Sequence, residues 1–399
     1  MRTYRELFAV PGFAAFFLAS TCSIAASTIG GLALGTLTFA RTGSPFLASM
    51  IMFGPSLAQV AGALLLLSVA DRLPPRAALA GFAAAGAVGA GVQSLPGAPI
   101  GGLFAVAVLL GLAASVLGGV RSGLLTDLVP REAYVLARST LNLSVGGMQV
   151  FGYAAGGVLV TVLSPQGTLR IAAALQAGAA AVTLLGLPPR PARAIGRAGI
   201  ARTWRTNRML LSSPARRATY LALWVPNGLI VGCESIFIAY DPEHAGALFA
   251  GAAAGMLAGD LAAGRFLPPS WRARTAAPLR LALAAPYLLL TVRPHWIVAV
   301  AAVTVASVGY AAGLMLQERL LEITPDDVTG HALGLHSSGM LAFQGIGAAV
   351  AGTTAQALSP ALAMGTVAAG SLAVTLALRR PLAQPVSHLA HGVTRVAAE

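Results

Sequence analysis

The sequence predicts an all-α polytopic membrane protein, with twelve transmembrane helices in two six-helix, pseudo-symmetric halves. Three observations carry this. Twelve apolar stretches of membrane-spanning length recur along the 399 residues. The arginines in the connectors between them fall almost entirely on alternate sides. Three short signatures of the first half return in the same order in the second.

Composition supports the membrane reading before any span is drawn. With 56% hydrophobic and 10% charged residues and a mean hydropathy of +0.77, the chain has too few polar groups to clothe a soluble globule of its size. Lipid must cover it, so the bilayer is its first partner. A net charge of +13 in a soluble protein would suggest nucleic acid. Here the arginines sit at the ends of apolar segments and in one central loop, which points to membrane topology and excludes that partner. Cys22 and Cys233 lie within apolar runs, so neither a disulfide nor a metal site is expected.

The spans follow in order. The first, 11–38, begins after Arg2 and Arg5 and resembles a secretory signal, but the run stays uncharged as far as Phe39 and reads as a retained span. Uncharged apolar runs then place spans at 46–70, 77–97, 101–120, 139–163 and 170–187. A polar, arginine-rich stretch separates these six from six more, at 218–240, 244–263, 276–292, 296–316, 333–357 and 360–378. The ninth is the weakest, since it carries Pro278, Arg280 and Pro286; prolines are tolerated in membrane helices whose neighbours satisfy the freed backbone groups. The expected organisation is an N-terminal bundle over 1–187, a basic cytoplasmic linker over 188–217, a C-terminal bundle over 218–380 and a cytoplasmic tail over 381–399. With both termini cytoplasmic, all of the 26 basic residues except Arg41, Arg170 and Arg293 fall inside.

The halves resemble each other in three places. Asp71-Arg72-Leu73-Pro74-Pro75-Arg76 after the second span matches Gly264-Arg265-Phe266-Leu267-Pro268-Pro269 after the eighth. Leu128-Val129-Pro130-Arg131-Glu132 matches Ile323-Thr324-Pro325-Asp326-Asp327. Gly147-Met148 with Phe151 in span five matches Gly339-Met340 with Phe343 in span eleven.

On these residues the chain resembles the major facilitator superfamily over nearly all its length. That family's signature, in the loop between spans two and three, is built on a glycine, an Asp-Arg pair, a second glycine and basic residues. Here the pair is Asp71-Arg72 and a later basic residue is Arg76, with Leu67 at the leading glycine, Pro74 at the second and Pro75 at a basic position. The resemblance implies that Asp71, Arg72 and Arg76 form part of a cytoplasmic gate rather than a substrate site. Gly152-Tyr153-Ala154-Ala155-Gly156-Gly157 resembles the glycine-rich end of a span-five motif in drug and metabolite antiporters, with Tyr replacing Pro. The chain is most similar to the branch holding macrolide-efflux and enterobactin-exporter proteins.

Individual residues suggest the chemistry. Glu234 is the one acidic residue well inside an expected span, where a carboxylate must be protonated or paired; it is the proton-coupling candidate, unless it only reaches the outer interface. Arg121 with Asp127, and Glu318 with Arg319, occupy the inner ends of spans four and ten and extend the candidate cytoplasmic gate; solvated helix ends are the alternative. Gln149 and Gln344 near mid-depth of spans five and eleven, with Asn227 and Thr21, are candidates to line a substrate cavity, or to hydrogen-bond between helices. Gly152, Gly156 and Gly157 are expected to let helices pack closely.

No zinc spacing, P-loop or nucleophile elbow occurs, so no cofactor and no enzymatic activity are expected, and a gradient must supply the energy. The reading is a monomeric secondary transporter of the inner membrane, exporting a small amphipathic molecule against protons by alternating access. The alternatives are a non-transporting sensor or scaffold, and a membrane-embedded lipid-modifying enzyme.

Overall fold

The structure, a computed structural model, describes residues 3–66, 73–191 and 200–382. Among these residues it is built from helices and contains no strand. The first six helices are α1 (Tyr4–Phe8), α2 (Phe13–Thr42), α3 (Pro45–Leu66), α4 (Pro75–Gln93), α5 (Ile100–Leu128) and α6 (Tyr134–Gly186). Then come α7 (Ile200–Ser212), α8 (Pro214–Ser235), α9 (Phe237–Tyr240), α10 (Ala245–Phe266) and α11 (Pro269–Ala284). The last five are α12 (Trp296–Val308), α13 (Ala312–Glu322), α14 (Thr329–Ala357), α15 (Pro360–Ala377) and α16 (Arg379–Leu382).

Local chemistry sets the boundaries. Proline opens α4, α8, α11 and α15 in the first turn, where its missing N–H would have had no helical partner anyway. Gly43 closes α2 in the left-handed conformation (φ 62°), its N–H returning to the Phe39 carbonyl. The 53 residues of α6 would form a rod of about 80 Å at 1.5 Å per residue, far beyond a hydrocarbon core of about 30 Å. Ser164 breaks it, with φ 69° and ψ 163° ahead of Pro165. The break falls between the expected fifth and sixth spans.

Among the described residues, nine segments are long and apolar enough to cross a bilayer by length and composition. The segment 136–186 contains two of the expected spans on either side of Ser164. Expected spans seven and eleven correspond to α8 and α14, which do not reach that hydropathy.

The chain divides into two compact units, residues 1–197 with 237–254, and residues 198–236 with 255–399. In the first, α2 packs along α6, α4 packs on α5 and α6, and α3 packs on α5. One of its apolar cores gathers Phe13, Phe16, Leu79, Leu117, Leu124, Leu128 and Leu187, residues from the ends of α2, α4, α5 and α6 that meet at one end of the bundle. In the second unit α8 packs against α14 and α15, and α11 against α12, α13 and α15.

Three expected spans in the C-terminal half are interrupted rather than continuous. Span seven ends as a helix at Ser235 and resumes only as the single turn α9. Span nine continues beyond α11 as a 3-10 helix, Ala285–Val292, because Pro286 lacks the N–H that an α-helix would use there. Span ten passes from α12 to α13 through a 3-10 turn, Gly309–Ala311. Within the stretch 188–217, α7 is a helix whose Leu210 is fully buried in the second unit's core.

Candidate functional site

The irregularities of the second unit converge on Glu234. This residue occupies the last turn of α8, partly buried, between the fully buried Cys233 and Ser235. Tyr310, from the 3-10 turn between α12 and α13, donates its hydroxyl to Glu234 Oε1 at 2.9 Å. Tyr287, from the 3-10 helix that follows α11 and itself fully buried, donates to the same oxygen at 3.4 Å. Mid-span 3-10 segments commonly mark functional hinges, and here each one sets a phenol. Gly309, just ahead of Tyr310, makes this possible: a Cβ there would collide with the Leu283 backbone at 2.6–2.7 Å, so only glycine lets the turn approach α11.

Both phenols bind one carboxylate oxygen. They leave Oε2 without a hydrogen bond among the described residues. A carboxyl group held by one oxygen, with the other open, can take up and release a proton without losing its position. Nearby, the Cys233 thiol donates to the Met364 carbonyl of α15 at 3.6 Å, and the Ser235 hydroxyl donates within α8 to the Gly232 carbonyl at 2.7 Å.

The α8–α14 contact supports this end of the site from the other side of the helix. A Cβ on Gly228 or Gly347 would run into backbone of the facing helix, at Phe343 and Gly228 respectively. The two backbones therefore touch. Tyr220 and Trp224 hydrogen-bond across the contact to the carbonyls of Ala332 (3.2 Å) and His336 (3.1 Å). Asn227 and Gln344 adjoin the crossing residues Gly228 and Phe343; both are partly buried, and the Asn227 Oδ1 is buried without a partner.

The remaining cavity candidates lie in the first unit. Gln149 on α6 has its Oε1 buried and unpartnered. Thr21 is engaged already: its hydroxyl bonds to the Phe17 carbonyl and the Ser144 hydroxyl, each at 2.8 Å. Among the packing glycines, Gly152 faces Thr28 and Gly156 faces Ile29 and Leu32, both on α2. Gly157 meets Gly246 of α10, each Cα within about 3 Å of where the other's Cβ would be.

Of the gate candidates, Asp71 and Arg72 lie outside the described residues. Arg76, in the first turn of α4, donates through Nη2 to the Leu184 carbonyl. Asp127 is exposed, and its carbonyl accepts from Arg190 Nη1 at 2.8 Å. Arg121 turns away from that surface into the bundle and makes no ion pair with Asp127. In the second unit Glu318 is exposed, while Arg319 lies partly buried one turn before Glu322.

Sequence reasoning missed three residues that the structure makes prominent. Tyr287 and Tyr310 were signalled by the helix-breaking Pro286 and Gly309 that directly precede them. Arg216, only 6% exposed, was counted with the loop's charges. Its Nε, Nη1 and Nη2 bind the carbonyls of Leu210 (3.1 Å), Ile323 (3.1 Å) and Met209 (3.2 Å), which ties α7 and the end of α13 to α8. Burial lowers its pKa from the ordinary arginine value, yet arginine titrates so high that it stays a cation at neutral pH.

The sequence matches no protein-family description and no curated protein. The fold, by contrast, is matched among solved structures. A nucleoside transporter, NupG, superposes with a TM-score of 0.74 at 13% identity, over 94% of this chain and 100% of that one. A POT family transporter in complex with a thioalcohol-conjugated peptide gives 0.73 at 12%, over 94% and 97%. A bacterial homologue of the human lysosomal transporter Spinster, inward-facing and unoccupied, gives 0.68 at 14%, over 98% and 95%. Likeness at this identity establishes the fold: the described residues form an all-α, multi-helix architecture of the kind these transporters have.

Proposed function

We propose that this protein is a secondary active transporter that moves a small amphipathic molecule outward in exchange for protons, by alternating access of two six-helix halves. The observation that carries the reading is the Glu234 carboxyl, placed within a transporter fold and held by Tyr287 and Tyr310 through one oxygen only. Ionisable groups inside membrane bundles are costly, and proton relays are a principal reason they persist.

Other features support the finer parts of this reading. The unpartnered amide oxygens of Gln149 in the first unit and Asn227 in the second each suit a cargo group that offers hydrogen-bond donors, and Gln344 and Thr21 are the further cavity candidates. The neighbours include transporters solved with small organic ligands. The arginine distribution supports a cytoplasmic-membrane protein with both termini inside. In this reading 1–187 and 218–380 are the halves, 188–217 joins them, and 381–399 is a cytoplasmic tail. Asp71, Arg72, Arg76, Arg121, Asp127, Glu318 and Arg319 close the cytoplasmic side, and the packing glycines Gly152, Gly156 and Gly157 let helices slide. The protein acts as a monomer, and the glycine-rich fifth span favours the drug-exporting branch.

The test is proton flux in energised inside-out vesicles, followed with a pH-sensitive dye as amphipathic compounds are added. Wild type is expected to release protons with some compound, and Glu234→Gln to lose that response while keeping substrate exchange. Proton release by Glu234→Gln equal to wild type would refute the assignment of coupling to this residue.

A further inference from the structure

The first unit contains a polar crevice around Arg121 to which the transport reading assigns no ligand. It is lined by Phe16, Ser20 and Ser23 of α2, Phe82 of α4, Arg121 of α5 and Thr183 of α6, with small and aliphatic residues between them. It lies where α2 and α4 begin and α5 and α6 end, inside the apolar cluster of Phe13, Phe16, Leu79, Leu117 and Leu124. All its walls belong to one unit.

Among the described residues, Arg121 is the one charge in this lining. Its Nε is buried with no hydrogen-bond partner, and no carboxylate among the described residues pairs with it. Arginine cannot shed its proton inside a protein, so the positive charge persists within a bundle whose surroundings are hydrocarbon. The side chain as a whole is partly buried, and its desolvated Nε gains from a compensating anion. Around it stand three hydroxyl groups. Ser20 and Ser23, both more than nine-tenths buried, lie one turn apart on the same face of α2, and Thr183 is 2% exposed. The Thr183 hydroxyl donates to the Ala179 carbonyl at 2.7 Å, which leaves its oxygen free to accept, while the serines can donate inward. A planar guanidinium with serine donors beside it is the donor set that receives a carboxylate or halide.

We propose that this crevice is an anion site within the N-terminal bundle, taking one compact monovalent anion: an inorganic halide, or the carboxylate of an acidic cargo. Its apolar walls exclude bulky polyanions. The guanidinium supplies charge, and Ser20 and Ser23 supply hydrogen bonds that select for size. The site is independent of Glu234, so it stands whether or not that residue couples protons.

The test uses the full-length protein purified in detergent, at constant ionic strength, with sodium gluconate replaced stepwise by chloride or by acetate while thermal unfolding is followed. Wild type is expected to gain several degrees with saturating behaviour. Arg121→Gln should gain none, and Ser23→Ala should need several-fold more anion for half the effect. Saturation by radiolabelled chloride, lost in Arg121→Gln, would assign the site to a free ion. A response to acetate but not chloride would assign it to a carboxylate head, and both results support the proposal. Arg121→Lys, which keeps the charge, controls for misfolding and should retain weakened binding. The proposal is overturned if neither anion acts on wild type, as expected where an internal carboxylate balances Arg121, or if Arg121→Gln responds as wild type does.

Discussion

Arg216→Ala should release α7 from the second unit, and the size of the effect follows from the three bonds it removes. Arg216 reaches Leu210, Met209 and Ile323 carbonyls at 3.1–3.2 Å, and two of these acceptors belong to α7. Hydrogen bonds to a charged group contribute about 1.5–3 kcal/mol each. Discounting for non-additivity, the two to α7 are worth about 3 kcal/mol together. Leu210 keeps its buried contacts in the variant, so the helix loosens without the bundle unfolding. At 1.4 kcal/mol per factor of ten, amide exchange across residues 203–213 should accelerate on the order of 100-fold, read by hydrogen-exchange mass spectrometry on the detergent-solubilised protein. Arg216→Lys, with one ammonium in place of the fork, should recover about half of the lost protection. Exchange in Arg216→Ala within threefold of wild type would show that α7 is held by its apolar contacts alone, and the reasoning would be wrong.

Two more outcomes follow from contacts in the same unit. Gly347→Ala must push α14 off the Gly228 backbone and should cost about 1–3 kcal/mol, seen as a lower unfolding temperature; Gly334→Ala on the same helix meets open space and should be neutral or stabilising. Tyr310→Phe removes the 2.9 Å bond to Glu234 and Tyr287→Phe the 3.4 Å one. Gradient-driven flux should therefore fall about tenfold in the first, for a bond of about 1–1.5 kcal/mol, and under threefold in the second. The reverse order would mean that Tyr287 is the anchoring phenol.

How much of this was legible in sequence depends on the range of the interaction. Span positions rest on hydropathy, a property of each segment alone, so α2 to α5 and the break in α6 lie close to where the apolar runs put them. Tertiary geometry is what sequence hides. Glu234 drew attention because a lone acid in an apolar run needs an explanation. Its partners lie 53 and 76 residues away and are brought to it by two 3-10 segments whose positions depend on packing against α11. Arg121 and Asp127 looked like a pair because they share a helix end. Six residues along a helix at 100° per residue lie on different faces, and the structure sends one into the bundle and the other to the surface. The helical character of α7 was hidden by its arginines, and the Arg216 side chain of α8 that binds its carbonyls leaves no hydropathic trace.

Arg280 provides the sharpest contrast with Arg121. It sits on α11, only 4% exposed, with Nε and Nη2 both buried and unpartnered among the described residues. No hydroxyl among the described residues hydrogen-bonds it, so nothing described there selects a ligand, and the unmet charge is a cost to the folded state. Replacing a buried charge by an apolar side chain of similar volume commonly stabilises by about 1–4 kcal/mol. Arg280→Met should accordingly raise the unfolding temperature, and should do so whichever anion is present. Arg121→Met removes the same kind of cost but also the site, so its gain should be matched or exceeded by wild type once chloride or acetate saturates. A loss of stability in Arg280→Met would mean that the guanidinium is paired in the membrane, and that burial without a visible partner is no guide to a binding function at either arginine.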